Sequence, residues 1–334
     1  MNNGQAISTL HTMADVWDAY GNELDGVEDQ IRKNLDSSVT LVNSVAAHIL
    51  SSGGKRIRPL LLLLSARLCG DASSDPQSLG SLVEFIHTAT LLHDDVVDDA
   101  DLRRGRQTAR RVWGNQISIL VGDYLYSHAM RQIVTFKNQG VNEVLSEACS
   151  KMAEGEVLQL YYNGNPAMSE SEYIRIVEHK TASLIAASCR IGAIVGHASE
   201  EQQSALFQFG EYIGIAFQVA DDTLDYTANG AHLGKTLGQD LSQGKTTLPL
   251  LHLLHHCPEQ DKRMIKDRME TRTVTEADLQ RIIALMQDYG SIVYAMDRAR
   301  TYVAAANRSL AIFDDSPPKR ALAIVADYMV NRDR

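Results

Sequence analysis

An all-α fold is the architecture this sequence predicts, and three observations predict it. The 334 residues include only 7 prolines, aromatic residues make up 6% of them, and helical spacing recurs along the chain while the alternation of a half-buried strand is hard to find. The elements follow in order. The N-terminal stretch MNNGQAISTLHTMADVWDAY has neither a basic region nor an apolar core, so it does not read as a signal peptide; about its first twelve residues are expected to be mobile. Pro59 predicts the opening of a helix over 59–69, with Leu60, Leu61, Leu64 and Leu68 on one face, and Gly70 predicts its close. The apolar run LVEFIHTATLL (82–92) predicts a buried helix that ends in HDDVVDDADLRRGR (93–106). Asn163-Gly164-Asn165-Pro166 marks a turn, and Ser169 with Glu172 predicts a capping box at the next helix start. Ile213, Ala216, Phe217 and Ala220 give another apolar face, and DDSPPKRA (314–321) separates the last two helices. No repeat or long linker interrupts the series, which predicts one domain over residues 1–334 with several central helices too apolar for a surface position.

Bulk properties narrow the function. Hydrophobic residues at 44% and charged residues at 22% suit a globular protein, and a net charge of −10 argues against general affinity for nucleic acid or anionic lipid. The longest apolar run, PLLLLL (59–64), is too short to span a bilayer. Four dispersed cysteines (Cys69, Cys149, Cys189, Cys257) form no CxxC pair and predict free thiols in the cytoplasm, with Cys149 and Cys189 in the core.

Two acidic clusters carry the chemistry. On a helix, Asp94 and Asp98 stand four residues apart, with their Cβ atoms about 5–6 Å apart, a like-charge pair that destabilises the helix unless a cation lies between. Hard oxygen donors without Cys suit Mg2+, which completes its shell with water and phosphate. A calcium-binding EF-hand loop counted from Asp94 fails, because its sixth position is Asp99 and its twelfth Gly105. The second cluster, DDTLD (221–225), follows the apolar YIGIAFQVA and repeats the spacing with Asp221 and Asp225. Facing each other, two such clusters suit several Mg2+ ions around one polyphosphate. Cationic groups complete the picture. Lys55, Arg56 and Arg58 lie beside Gly53-Gly54, Arg103 and Arg104 precede Gly105, and Lys235 and Lys245 stand among Gly234, Gly238 and Gly244. Glycine lets backbone approach an anion closely, and arginine grips phosphate with two donors.

In this order, GGKRIRP, LLHDDVVDDADLRRG, EHKTASL, FQVADDTLD and LGKTLGQDLSQGKTTLPLL resemble the motifs of the trans-polyprenyl diphosphate synthases, over nearly the whole chain from about residue 15. The sequence is most similar to the bacterial octaprenyl diphosphate synthases of the quinone pathway. The resemblance implies an all-α isoprenoid synthase fold, a helical bundle around a deep cavity, usually as a homodimer. It implies that Lys55, Arg58, His87 and Arg104 bind the diphosphate of isopentenyl diphosphate, that Asp94, Asp98 and Asp221 ligate Mg2+ on an allylic diphosphate such as farnesyl diphosphate, and that Arg103, Lys180, Lys235 and Lys245 contact the same allylic group. Thr181 and Gln218 would line the reacting centre, and Asp95 and Asp222 would belong to the catalytic set. The segment 233–245 would close over the site.

Product length is set upstream. Ala89 and Thr90 precede Asp94 by about one helical turn, roughly 6–7.5 Å, and short-chain members of the family carry a bulky aromatic there. Ala89 leaves the path open and predicts a long product, eight isoprene units, with seven or nine as alternatives and Met130 as a candidate floor. Such a product implies peripheral membrane contact at its release. A terpene cyclase would not need GGKRIRP, a two-metal phosphohydrolase would show more histidine ligands than His93, and a non-catalytic subunit of a heteromeric synthase would lack one acidic cluster.

Overall fold

In the computed structural model, which describes residues 10–51, 53–227 and 237–331, helices account for nearly all regular structure. The chain gathers into two compact units. The first comprises Met1–Glu147, Leu184–Phe207 and Leu310–Val325; the second comprises Ala148–Ser183, Gln208–Ser309 and Ala326–Arg334.

The first unit opens with α1 (Met13–Asn34), whose N-terminus is fixed by a reciprocal capping box between Thr12 and Asp15. There follow α2 (Thr40–Leu50), α3 (Ile57–Leu68) and α4 (Asp75–Val97). Helix α3 begins two residues before the expected Pro59. That proline sits in the first turn, where backbone N–H groups have no helical partner to lose, so the helix tolerates it. Leu60 to Leu64 are all fully buried, which at about 1.5–3 kcal/mol per side chain makes α3 a core element, not a surface one. Helix α4 packs on α1 and α3 and, most extensively, on a later helix, α6 (Asn115–Thr135). Between α4 and α6 lie a hairpin of two-residue strands, β1 (Leu102–Arg103) and β2 (Arg106–Gln107), and the short α5 (Ala109–Trp113). Strand arms this short leave no alternation to read, so sequence patterning passes over them. The next helix, α7 (Gln139–Tyr162), contributes its first residues to this unit and its remainder to the second.

The second unit contains α8 (Glu170–Val177), capped by Ser169 and Glu172 as the sequence predicts. Helix α8 runs through a π-turn, Glu178–Ala182, into α9 (Ser183–Val195), most of which belongs to the first unit. In the first unit, Gly192 of α9 lets that helix cross α3: a Cβ there would meet the Leu62 carbonyl oxygen at 2.3 Å. Helix α10 (Glu200–Thr227) enters the second unit at Gln208, followed by α11 (Gln239–Ser242), α12 (Leu248–His256), α13 (Glu259–Thr271), α14 (Glu276–Asp288) and α15 (Ser291–Ser309); the last helix, α16 (Pro317–Asn331), belongs to the first unit as far as Val325 and to the second from Ala326. Tyr226, Leu250, Leu254, Ile265, Ile282 and Met286 share one core cluster of this unit. All four cysteines are free, with Cys149 and Cys189 buried as expected. Among the described residues, no helix is long and apolar enough to cross a membrane.

Candidate active site

In the first unit, Asp94 stands on the last turn of α4 and Asp98 is its C-cap, with the Asp98 N–H donating to the Asp94 carbonyl at 2.8 Å. Helical register therefore persists to Asp98, and both carboxylates leave from the same helix end. The chain then exits by a Schellman turn. Asp99 takes the left-handed conformation at φ +54°, its N–H donates to the Val96 carbonyl, and the Ala100 N–H donates to the Asp95 carbonyl at 2.9 Å. The negative end of the helix dipole and two half-buried carboxylates converge on this point, a combination that favours a bound cation.

Asp95 turns the other way. It is 1% exposed, and Nε and Nη2 of Arg103 both lie 2.9 Å from its Oδ1. Burial raises its carboxyl above the usual range, and Arg103 opposes that shift. The structure thus pairs two expected site residues with each other. Arg103 is presented by the hairpin, in which Leu102 pairs with Gln107 and Arg103 with Arg106. The two-residue loop between them, Arg104-Gly105, has φ of +52° and +75°, the signs a type I′ turn requires. Glycine adopts this backbone freely, whereas Arg104 is held in a sparsely populated region, as often found where a side chain must be aimed.

Arg104 aims inward. A Cβ on Gly54 would lie 3.2 Å from Arg104 Nη1 and 3.4 Å from Arg56 Nη1, so the Gly53-Gly54 loop gives these guanidinium groups room. Arg56 acts as a brace: its Nε donates to Glu28 at 2.5 Å and its Nη1 to Glu84 at 3.0 Å. Arg58 and Arg104 carry no ion pair among the described residues, and Arg58 Nε is buried with no hydrogen-bond partner. Burial pulls the Arg58 guanidinium below its usual range, with Glu84 opposing and Arg104 adding to the shift. His87, on α4, lies in the field of the same arginines. Burial first, then Arg58, Arg103, Arg104 and Arg56, hold its imidazole well below the usual histidine range, so it stays neutral at pH 7. Lys55 is exposed at the edge of this group.

Further along α4, Ala89 is 1% exposed and the Thr90 hydroxyl donates to the His87 carbonyl at 2.9 Å. Met130 is half-buried on α6. His93 is engaged elsewhere, with Nε2 3.2 Å from both the Ile119 carbonyl and Asp123.

In the second unit, Lys180 and Thr181 occupy the π-turn, a helix defect frequent at functional sites. Two glycines confine it. A Cβ on Gly155 of α7 would stand 2.5 Å from the Lys180 backbone nitrogen, and one on Gly214 of α10 would stand 2.5 Å from Ala182 Cα. Lys180 Nζ pairs with Glu156 at 2.5 Å. The Thr181 hydroxyl donates to Gln218 Oε1 at 2.9 Å, and Gln218 Nε2 donates to Asp222 Oδ1 at 2.7 Å. Tyr173 completes the chain by donating to Asp222 Oδ2 at 2.6 Å. Burial and the charges of Asp240 and Asp221 push the Asp222 carboxyl up, against the hydrogen bonds from Tyr173 and Gln218. Asp221 is exposed on α10. Asp225 accepts from the Asp240 N–H at 3.0 Å, and Asp240 in turn lies 3.9 Å from Lys245 Nζ. Lys235 lies outside the described residues.

Several of these residues escaped sequence reasoning. Tyr173, Glu156 and Glu84 have no local signature. Gly155 and Gly214 did have one: an isolated glycine inside a helical pattern usually marks a close packing contact.

An acidic helix end beside a group of arginines and a neutral histidine is chemistry suited to a diphosphate ligand, and the comparisons identify the family. The Polyprenyl synthetase family model matches residues 39–286, and the chain belongs to that family. Octaprenyl diphosphate synthase of Escherichia coli (strain K12) is 41% identical over 312 residues, covering 93% of this chain and 96% of that protein. The crystal structure of a decaprenyl diphosphate synthase from Rhodobacter capsulatus superposes with a TM-score of 0.91 at 39% identity, covering 96% of this chain and 99% of that one. A polyprenyl synthase from Caulobacter crescentus CB15, complexed with calcium and isoprenyl diphosphate, gives a TM-score of 0.93 at 37% identity, covering 97% of this chain and 98% of that one. The fold is the all-α isoprenoid synthase fold, as the sequence predicts.

Proposed function

We propose that this protein is a trans-prenyltransferase that condenses isopentenyl diphosphate with an allylic diphosphate, farnesyl diphosphate for its primer. It elongates the chain to octaprenyl diphosphate, which supplies the side chain of a respiratory quinone. The carrying observation is the group of Arg58, Arg104 and neutral His87, with an unpartnered guanidinium nitrogen on Arg58, on the helix system that ends in Asp94 and Asp98. A relative named for an octaprenyl product supports this chain length, and a solved structure named for a decaprenyl product supports a long chain.

The donor set fits Mg2+. Asp94, Asp98 and Asp221 offer carboxylate oxygens, and no three His, Cys, Asp or Glu side chains group together among the described residues. A cation on these aspartates would take the rest of its shell from water and phosphate. The calcium and isoprenyl diphosphate of the Caulobacter crescentus protein support that pairing of ligands. Bound Mg2+ would neutralise charge on the departing diphosphate.

The chain's own residues do the remainder. Lys55, Arg58 and Arg104 bind the diphosphate of isopentenyl diphosphate through charge-assisted hydrogen bonds, and neutral His87 adds an N–H donor without adding a charge. Arg103, Lys180, Lys235 and Lys245 hold the allylic diphosphate as negative charge grows on it. Thr181 and Gln218 line the reacting centre, where an allylic cation is left when the carbon–oxygen bond breaks. The isopentenyl double bond attacks that cation, and the released diphosphate takes the proton that is lost. Ala89, lacking bulk, leaves α4 open to the growing chain. Exposed Leu120 and Val134 on α6 support a homodimer, and four free thiols support a cytoplasmic setting, with peripheral membrane contact when the apolar product leaves.

The test is direct. Purified protein with Mg2+, farnesyl diphosphate and labelled isopentenyl diphosphate yields octaprenyl diphosphate on product chromatography. A protein that incorporates no label by itself is not a synthase.

A further inference from the structure

We propose that Tyr173 is a positioning residue for the condensation, acting through Asp222 and Gln218 on Thr181; the inference rests on the reading above that Thr181 and Gln218 line the reacting centre. Tyr173 lies on α8, is 4% exposed, and spends its hydroxyl proton on Asp222 Oδ2 at 2.6 Å. The other carboxyl oxygen of Asp222 receives the Gln218 amide at 2.7 Å. That contact decides which way the amide points. With its NH2 group donating to Asp222 Oδ1, Gln218 presents Oε1 at its other end, where it accepts from the Thr181 hydroxyl at 2.9 Å. Thr181 is then a donor to Gln218, and its own lone pairs are left to face away from Gln218. One phenolic hydroxyl thus sets the polarity of a three-member relay that ends on the π-turn.

Without that hydroxyl, Asp222 Oδ2 is buried with one donor fewer, the carboxyl is free to rotate, and the amide of Gln218 loses its fixed orientation. Burial alone would not produce this effect, because phenylalanine fills the same space. Tyr173 acts through Asp222 and Gln218, so its influence is felt in the chemical step and not in substrate capture.

The experiment compares wild type, Tyr173→Phe, Gln218→Leu and the double variant in the elongation assay, with thermal melting as the check on folding. The expected result is a kcat lowered about 10-fold or more for Tyr173→Phe, with KM for isopentenyl diphosphate within about twofold of wild type. Adding Tyr173→Phe to Gln218→Leu should cost little more, since members of one relay are not additive. Placing 4-aminophenylalanine at position 173 restores an N–H donor and should recover most of the rate. Wild-type kcat in Tyr173→Phe, full additivity with Gln218→Leu, or no rescue by the amine would each overturn the proposal. A Tyr173→Phe protein that does not fold overturns it too, since Tyr173 would then be a core residue and no more. Inactive wild-type protein would instead refute the synthase reading itself, so the two failures are distinct.

Discussion

The sharpest prediction concerns a methyl group. Gly155→Ala places a Cβ 2.5 Å from the Lys180 backbone nitrogen, 2.8 Å from His179 Cβ and 2.9 Å from His179 carbonyl carbon. Favourable contact begins at about 3.5 Å, so either α7 or the π-turn must give by about 1 Å. Both neighbouring atoms at 2.5 and 2.9 Å are backbone, and no rotamer change relieves them. The π-turn has little freedom on its other side, because Gly214 already meets Ala182 there. Overpacking of this kind costs about 1–3 kcal/mol of stability, which a typical domain survives. Catalysis is less forgiving: a shift of about 1 Å in groups that position a substrate lowers the rate by about 100-fold, and Lys180 and Thr181 would both move. Steady-state elongation kinetics on the folded variant measure this. Gly21→Ala is the control, since that glycine lies within α1 with nothing within 4 Å of the added Cβ; it should be as active as wild type and more stable by about 0.5–1 kcal/mol. A Gly155→Ala enzyme with kcat within twofold of wild type would show that the π-turn does not govern the reaction.

Further outcomes follow from the first unit. Ala89→Tyr should shorten the product, read by chromatography; an unchanged length would mean the chain does not grow along α4. Arg58→Gln should raise KM for isopentenyl diphosphate by about 10-fold or more, since a charged hydrogen-bond partner is worth roughly 1.5–3 kcal/mol. His87 gives a pH dependence. Its native pKa lies below its unfolded value, so between the two the unfolded chain binds more protons, and stability drops as pH falls below about 6.5, by up to about 1.4 kcal/mol per pH unit. Denaturant melts at pH 7 and pH 5 should show the loss, and His87→Gln should flatten it. Chelation of divalent metal should abolish elongation while leaving the helical circular dichroism signal intact, and added Mg2+ should restore activity.

Much of this molecule was legible before any coordinates. Helices α3, α4 and α10 announce themselves through apolar spacing, the Ser169–Glu172 capping box is a local hydrogen-bond pattern, and the DDxxD pairs need only the helical repeat to put two carboxylates on one face. Each of these depends on residues within a few positions of one another, and short-range stereochemistry is what a linear pattern records. Other features depend on residues far apart in the chain. That Asp95 is buried against Arg103 while Asp94 and Asp98 are not follows from where the Schellman turn and the type I′ hairpin aim the chain. The unpartnered Arg58 nitrogen arises because Arg56, two residues earlier, takes the nearby carboxylates Glu28 and Glu84. The relay from Tyr173 to Thr181 joins α8, α10 and the π-turn across up to 49 residues of chain. Composition and spacing therefore specified the fold class and the class of chemistry, and from them the sequence predicts a metal and an anion. Packing alone decided which of several similar aspartates and arginines pair with one another and which do not, because only burial assigns each charge its partner.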